Sequence, residues 1–153
     1  MNYATSFQER EGGTTIRREA ELNIGSLEEN YTRLRSWASI MGVGLSGTPF
    51  VIVRDGIVNV GVQTKKPTAA NPETGVHPGE VPGGMSLCIE DVPLASLDEV
   101  TAQLPGELGD AWTAAGAVEF HRSKDGFGRG TVVVPLQPAA GAAGERQEAG
   151  SVA

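Results

Sequence analysis

Alternation and helical spacing divide the chain into two passages of like pattern. In the first, "TTIRREAELNI" has weak strand character after a polar start. "GSLEENYTRLRSWASIMG" then places Leu27, Tyr31, Leu34, Ile40 and Met41 along one helical stripe. Ser26 and Glu29 have the S-x-x-E spacing of a capping box, and Gly42 supplies a stop. "PFVIVRDGIVNVGVQ" reads as two strands about Asp55-Gly56, a dipeptide suited to a hairpin turn in which both central residues need positive φ. Residues 64–80 hold three prolines and few apolar groups and read as a surface linker. The pattern then resumes. "VPGGMSLCIEDV" is a strand after a glycine turn, and "SLDEVTAQL" opens a helix with a second capping box, Ser96 and Glu99. Helical character continues in "ELGDAWTAAG" after an expected break at Pro105-Gly106. "AVEFHRSKDG" and "TVVVPLQP" form a second strand pair, and 138–153 reads as a disordered tail.

Laid on each other, the halves match: Phe50 stands five residues before Asp55, and Phe120 five before Asp125. Each hairpin follows a segment with a tryptophan, Trp37 or Trp112, closed by Gly42 or Gly116. The expected fold is therefore α+β, one domain over 1–137, with pseudo-repeats at about 14–63 and 81–137. A duplicated strand-helix-hairpin unit would form one curved antiparallel sheet with two helices on its convex face. Phe50 and Phe120, being large and apolar, are expected to point toward the helices. Their neighbours Pro49, Val51, Glu119 and His121 would then face a groove. A carboxylate sheltered among apolar groups is costly without a partner, so Glu119 is a candidate ligand contact; the alternative is an ordinary solvated glutamate on a half-wet sheet.

Composition narrows the function. With 19 acidic against 12 basic residues the net charge is −7, which argues against a broad phosphate-binding surface and against a polybasic membrane anchor. No apolar run approaches the roughly 20 residues that span a bilayer, and the N-terminal segment lacks a secretory pattern, so a cytoplasmic protein is expected. No helix-turn-helix segment is evident, and direct nucleic-acid binding is not expected. Cys88 is the only cysteine and lies in an apolar run, which suits a buried thiol and leaves no internal disulfide. His77 and His121 are the only histidines, so neither a metal cluster nor any cofactor is expected. "MGVGLSG" does not follow a strand and open a helix, which removes it as a phosphate cradle. Glu119 and His121, about 7 Å apart along one strand face, are the sole pair placed for acid-base work.

The order and spacing of "RLRSWASIMG", "GTPFVIVRD", "GEVPGGMSLCI" and "AVEFHR" followed by "VVVPL" resemble the gyrase-inhibitor-like (GyrI-like) small-molecule-binding domains. These occur alone or as effector-binding domains of multidrug-responsive transcription activators. The resemblance spans about residues 14–137. It implies a pseudo-twofold domain whose concave sheet binds lipophilic, often cationic aromatic compounds, in the context of drug sensing or resistance. Glu119 matches the family's pocket glutamate, and His121 stands where many members carry tyrosine. The second helical region, with Pro105-Gly106, is longer than usual. Candidate pocket walls are Trp37, Trp112, Tyr31 and Val51, each of which is equally at home in a core. The reading is a module that binds hydrophobic, cationic or aromatic small molecules. Its alternative is a hydrolase that opens strained cyclopropane-type natural products through Glu119 and His121. A gyrase or regulator partner is a third class, for which the sequence offers no surface.

Overall fold

The computed structural model describes residues 2–139. Strands β1 (Thr5–Arg10) and β2 (Gly13–Ala20) precede helix α1 (Ile24–Met41), the hairpin β3 (Leu45–Arg54) and β4 (Ile57–Thr64), and β5 (His77–Val81). Strand β6 (Gly84–Pro93), a 3-10 turn at Leu94–Ser96, helix α2 (Leu97–Leu108), β7 (Trp112–Ala114), β8 (Glu119–Ser123) and β9 (Gly126–Pro138) follow. The sheet order is β1-β6-β9-β8-β3-β4-β2-β5, with β7 added on β9, and every pairing is antiparallel. The architecture is α+β, and the order runs outward from the β8–β3 pair as two strand-helix-hairpin units side by side. This is the fold class expected from the sequence.

Connection lengths force the sheet to curl. Laid flat, β5 and β6 would stand six strand spacings apart, about 29 Å. Only Pro82 and Gly83 join Val81 to Gly84, a span of at most about 11 Å. Glu11 and Gly12 make an equally short link from β1 to β2. The two links draw opposite ends of the sheet together over the face that carries no helix, and Cβ atoms on Gly12 and Gly83 would collide with the facing backbone.

The covered face carries the main core. Leu27, Leu34 and Ala38 of α1 and Leu97, Val100 and Leu104 of α2 pack with Ile16, Val51, Val60, Val62, Phe120, Phe127, Val132 and Val134. Glu28 fastens α1 to the sheet by accepting from both Arg122 Nε (3.0 Å) and Arg122 Nη2 (3.1 Å) and from the Phe127 amide (3.0 Å). The expected helical stripe holds for Leu27, Tyr31 and Leu34. Ile40, however, is 83% exposed and Met41 is also exposed; Ala38, one turn beyond Leu34, takes the inward place.

Several local expectations are corrected. The cap of α1 is Asn23, whose side chain accepts from the Ser26 amide, while the Ser26 hydroxyl accepts from the Glu21 amide. Ser96 makes no side-chain cap, because the 3-10 turn before α2 has already wound the chain. Helix α2 runs through Pro105 and closes at Gly109, whose amide donates to the Pro105 carbonyl at 3.3 Å. A proline with only three helical residues after it removes little helix. "AWTAAG" is not helical: Trp112 begins β7, and it stacks on Phe7 at 6.3 Å. The 64–80 segment is not only a linker, since it enters β5 and pairs with β2. Pro138 closes β9, so the proposed tail begins inside a strand; its remainder from residue 140 lies outside the described residues. Gly42 stops α1 with φ 69°, and Asp55 and Gly56 both have positive φ, as the pattern required.

Candidate functional site

The register of the central strands decides which side chains share the open face. Residues directly opposite in an antiparallel pair point to the same side. Val51 lies opposite Phe120, Ile52 opposite Glu119, and Phe50 opposite His121. Phe120 and Val51 are in the helix-side core, so Phe50, Ile52, Glu119 and His121 are on the open face. The expectation that Phe50 points to the helices and Val51 to the groove is thus reversed. Its cause is the second turn. The first hairpin turns on Asp55-Gly56 between Arg54 and Ile57, whereas the second turns on Lys124-Asp125 between Ser123 and Gly126. One residue of offset exchanges the faces of a strand. Phe50 therefore corresponds in spacing, but not in facing, to Phe120.

Glu119 is 1% exposed and fully hydrogen-bonded. Arg10, the last residue of β1, donates to both carboxylate oxygens at 2.7 Å, a fork-to-fork ion pair, and the His121 Nε2 lies 2.8 Å from Oε1. Arg10 reaches this far because the short β1–β2 link crosses the open face, where its Nε also donates to the Pro82 carbonyl at 3.0 Å. Burial alone would raise the Glu119 carboxyl; the hydrogen bonds and charges of Arg10 and His121 outweigh it and hold the group below the ordinary carboxylate value. His121 tilts against the Phe50 ring at 5.3 Å, and its Nδ1 is 3.4 Å from the Thr48 hydroxyl.

Beside this cluster is a cavity of about 390 Å³ lined by Arg17, Ile52, Arg54, Glu80, Val81, Pro82, residues 115–117 and Glu119. That volume suits a small organic molecule. Arg17 lies across its floor: Nη2 donates to the Glu80 carbonyl (2.7 Å), Nε to the Thr15 hydroxyl (3.1 Å), and the guanidinium sits 5.9 Å from the Phe50 ring centre. Burial pushes the Arg17 guanidinium down from its ordinary value, the Glu119 charge pulls it back, and Arg54 pushes it down again. Gly61 leaves room for this layer, since a Cβ there would stand 2.9 Å from the Phe50 ring and 3.2 Å from Arg17.

Of the six residues singled out from sequence, Glu119 and His121 are brought together. Tyr31 packs edge-on against Phe127 on the covered side, with Arg35 and Arg122 over its ring, and Val51 is in the core. Trp112 lies on the β7 edge strand. Trp37 lines a larger hollow of about 680 Å³ between α1 and residues 73–77, with the exposed Ile40 at its lip. The concave cavity is the better candidate despite its smaller volume, because a buried, hydrogen-bonded carboxylate and a half-buried guanidinium converge there. Arg10, Arg17, Phe50, Ile52 and Arg54 were missed. Arg10 could not be found by periodicity, since its role depends on a contact across 109 positions of sequence. Phe50, Ile52 and Arg54 follow from alternation once the facing of β3 is known. Among the described residues no group of three or more His, Cys, Asp or Glu side chains is placed to hold a metal ion, and no helix is long and apolar enough to cross a membrane.

No family model matches the sequence, and no curated protein matches it either. Solved structures do match in fold. The crystal structure of the EcmrR C-terminal domain superposes with a TM-score of 0.67 at 10% identity, covering 90% of this chain and 99% of that one. EcmrR in a cryo-electron-microscopy complex with DNA superposes with a TM-score of 0.61 at 11% identity, covering 88% of this chain and 57% of that one. The fold is the one that the GyrI-like resemblance implies. These matches also correct the partner reading. The same fold is part of a protein solved on DNA, so the acidic charge of a single domain does not separate it from nucleic acid at the level of a whole protein.

Proposed function

We propose that this chain is a small-molecule-binding domain of the effector-binding kind, with its site in the cavity on the helix-free face beside Glu119. One observation carries the reading: a fully buried carboxylate, fixed by Arg10 and His121, forms part of the wall of a cavity sized for a small organic molecule. Ile52, Val81, Pro82 and Ala117 supply apolar contact, and the fixed polar groups supply orientation. The fold shared with the EcmrR C-terminal domain supports a place for it in a regulator. A hydrophobic, aromatic guest fits this wall.

The geometry favours binding over turnover. A general acid must hold a proton at working pH, whereas Glu119 is held ionised below the ordinary carboxylate value and both its oxygens are occupied. The same pairing weakens the case for a cationic guest, which would have to displace the Arg10 fork.

A thermal-shift panel of neutral, anionic and cationic naphthalene derivatives, run on wild type and Glu119→Gln, tests the reading. At least one compound should raise the melting temperature saturably in the wild type and less in the variant. A panel with no saturable shift, or the same shift in both proteins, would overturn it.

A further inference from the structure

The charges lining the cavity balance, two arginines against two glutamates, but one of the glutamates is already committed to an arginine outside the lining. Arg17 and Arg54 stand against Glu80 and Glu119 in the lining, in a protein of net charge −7. Glu119 is spent on Arg10 and His121. Arg17 is held by a carbonyl and a hydroxyl, both neutral, so its charge has no carboxylate hydrogen-bonded to it. Arg54, on the same face of β3 as Phe50 and Ile52, has no side-chain hydrogen bond or ion pair among the described residues. The Glu119 charge favours the charged form of Arg17, and the Arg54 guanidinium is near enough to disfavour it. Two like charges converging on one cavity, one of them half-buried, are relieved by an anion between them.

We propose that the cavity takes the oxyanion end of an aromatic acid, with the Arg54 fork and the free Nη1 of Arg17 as its anchors. This rests on the assignment of the cavity as the ligand site. A planar carboxylate matches a guanidinium fork with two parallel hydrogen bonds. The aromatic body then lies against Ile52, Val81 and Pro82.

The test is calorimetric titration of the whole chain with three probes of one shape: 2-naphthoate, naphthalene-2-carboxamide and 2-naphthylmethylammonium. The carboxylate should bind about tenfold or more tightly than the amide, and the ammonium most weakly. In Arg54→Gln, an exposed position whose replacement leaves the fold intact, the carboxylate should lose that preference while the amide binds as before. Added salt should weaken the carboxylate alone. If the amide binds as tightly as the carboxylate, or the ammonium binds best, the anion site is overturned and the cavity assignment stands. If none of the three binds, both are overturned.

Discussion

Glu119 concentrates the energetics of the open face in one side chain. Replacing it with glutamine leaves Arg10 without its counter-charge in a mostly buried setting, which should cost about 3 kcal/mol of stability in chemical denaturation. An unchanged midpoint would mean that the ion pair adds little. The pH dependence has a definite sign. A carboxyl whose folded value is depressed contributes its stability above the unfolded value near 4.3 and loses it as pH falls through the folded value. Glu28, depressed in the same direction because Arg122 and the Phe127 amide outweigh its burial, acts over the same window. Stability should therefore be flat in these two groups from neutral pH to about 5 and then decline into acid, the decline being shallower in Glu119→Gln. A carbon-detected NMR titration placing Glu119 at or above the ordinary carboxylate range would contradict the electrostatic account.

Strand parity is where the sequence was both informative and misleading. Hairpins, helix α1 and the α+β class were legible because alternation, helical spacing and turn dipeptides are local signals. The facing of β3 was not, since it depends on a one-residue difference in where the second hairpin turns. Aligning the two Asp-Gly dipeptides hid that difference. The same limit applies to β7: "AWTAAG" is rich in helix formers, yet pairing with the end of β9 and stacking on Phe7 decide its state. The corrected facing has a consequence for β3. Val51→Ala should cost about 2 kcal/mol through a cavity under the helices and leave naphthoate affinity unchanged. Ile52→Ala, one residue along, should weaken binding severalfold through lost contact with the guest. Fluorescence-monitored unfolding and calorimetry separate the two effects, and the opposite assignment of costs would restore the sequence-based facing.

At the scale of the whole molecule, the two short links from β1 to β2 and from β5 to β6 turn a sheet into a site. They pull its far ends over the helix-free face and carry Arg10 and Pro82 to Glu119, so the cavity is a consequence of topology as much as of side-chain choice. Which hollow is used can be read directly by mapping amide chemical-shift changes on titration with 2-naphthoate. Binding in the concave cavity is expected to move the amides of Arg17, Ile52, Arg54, Ala117 and Glu119. Changes gathered instead on Trp37, Ile40 and Val76, around the larger hollow beside α1, would contradict it.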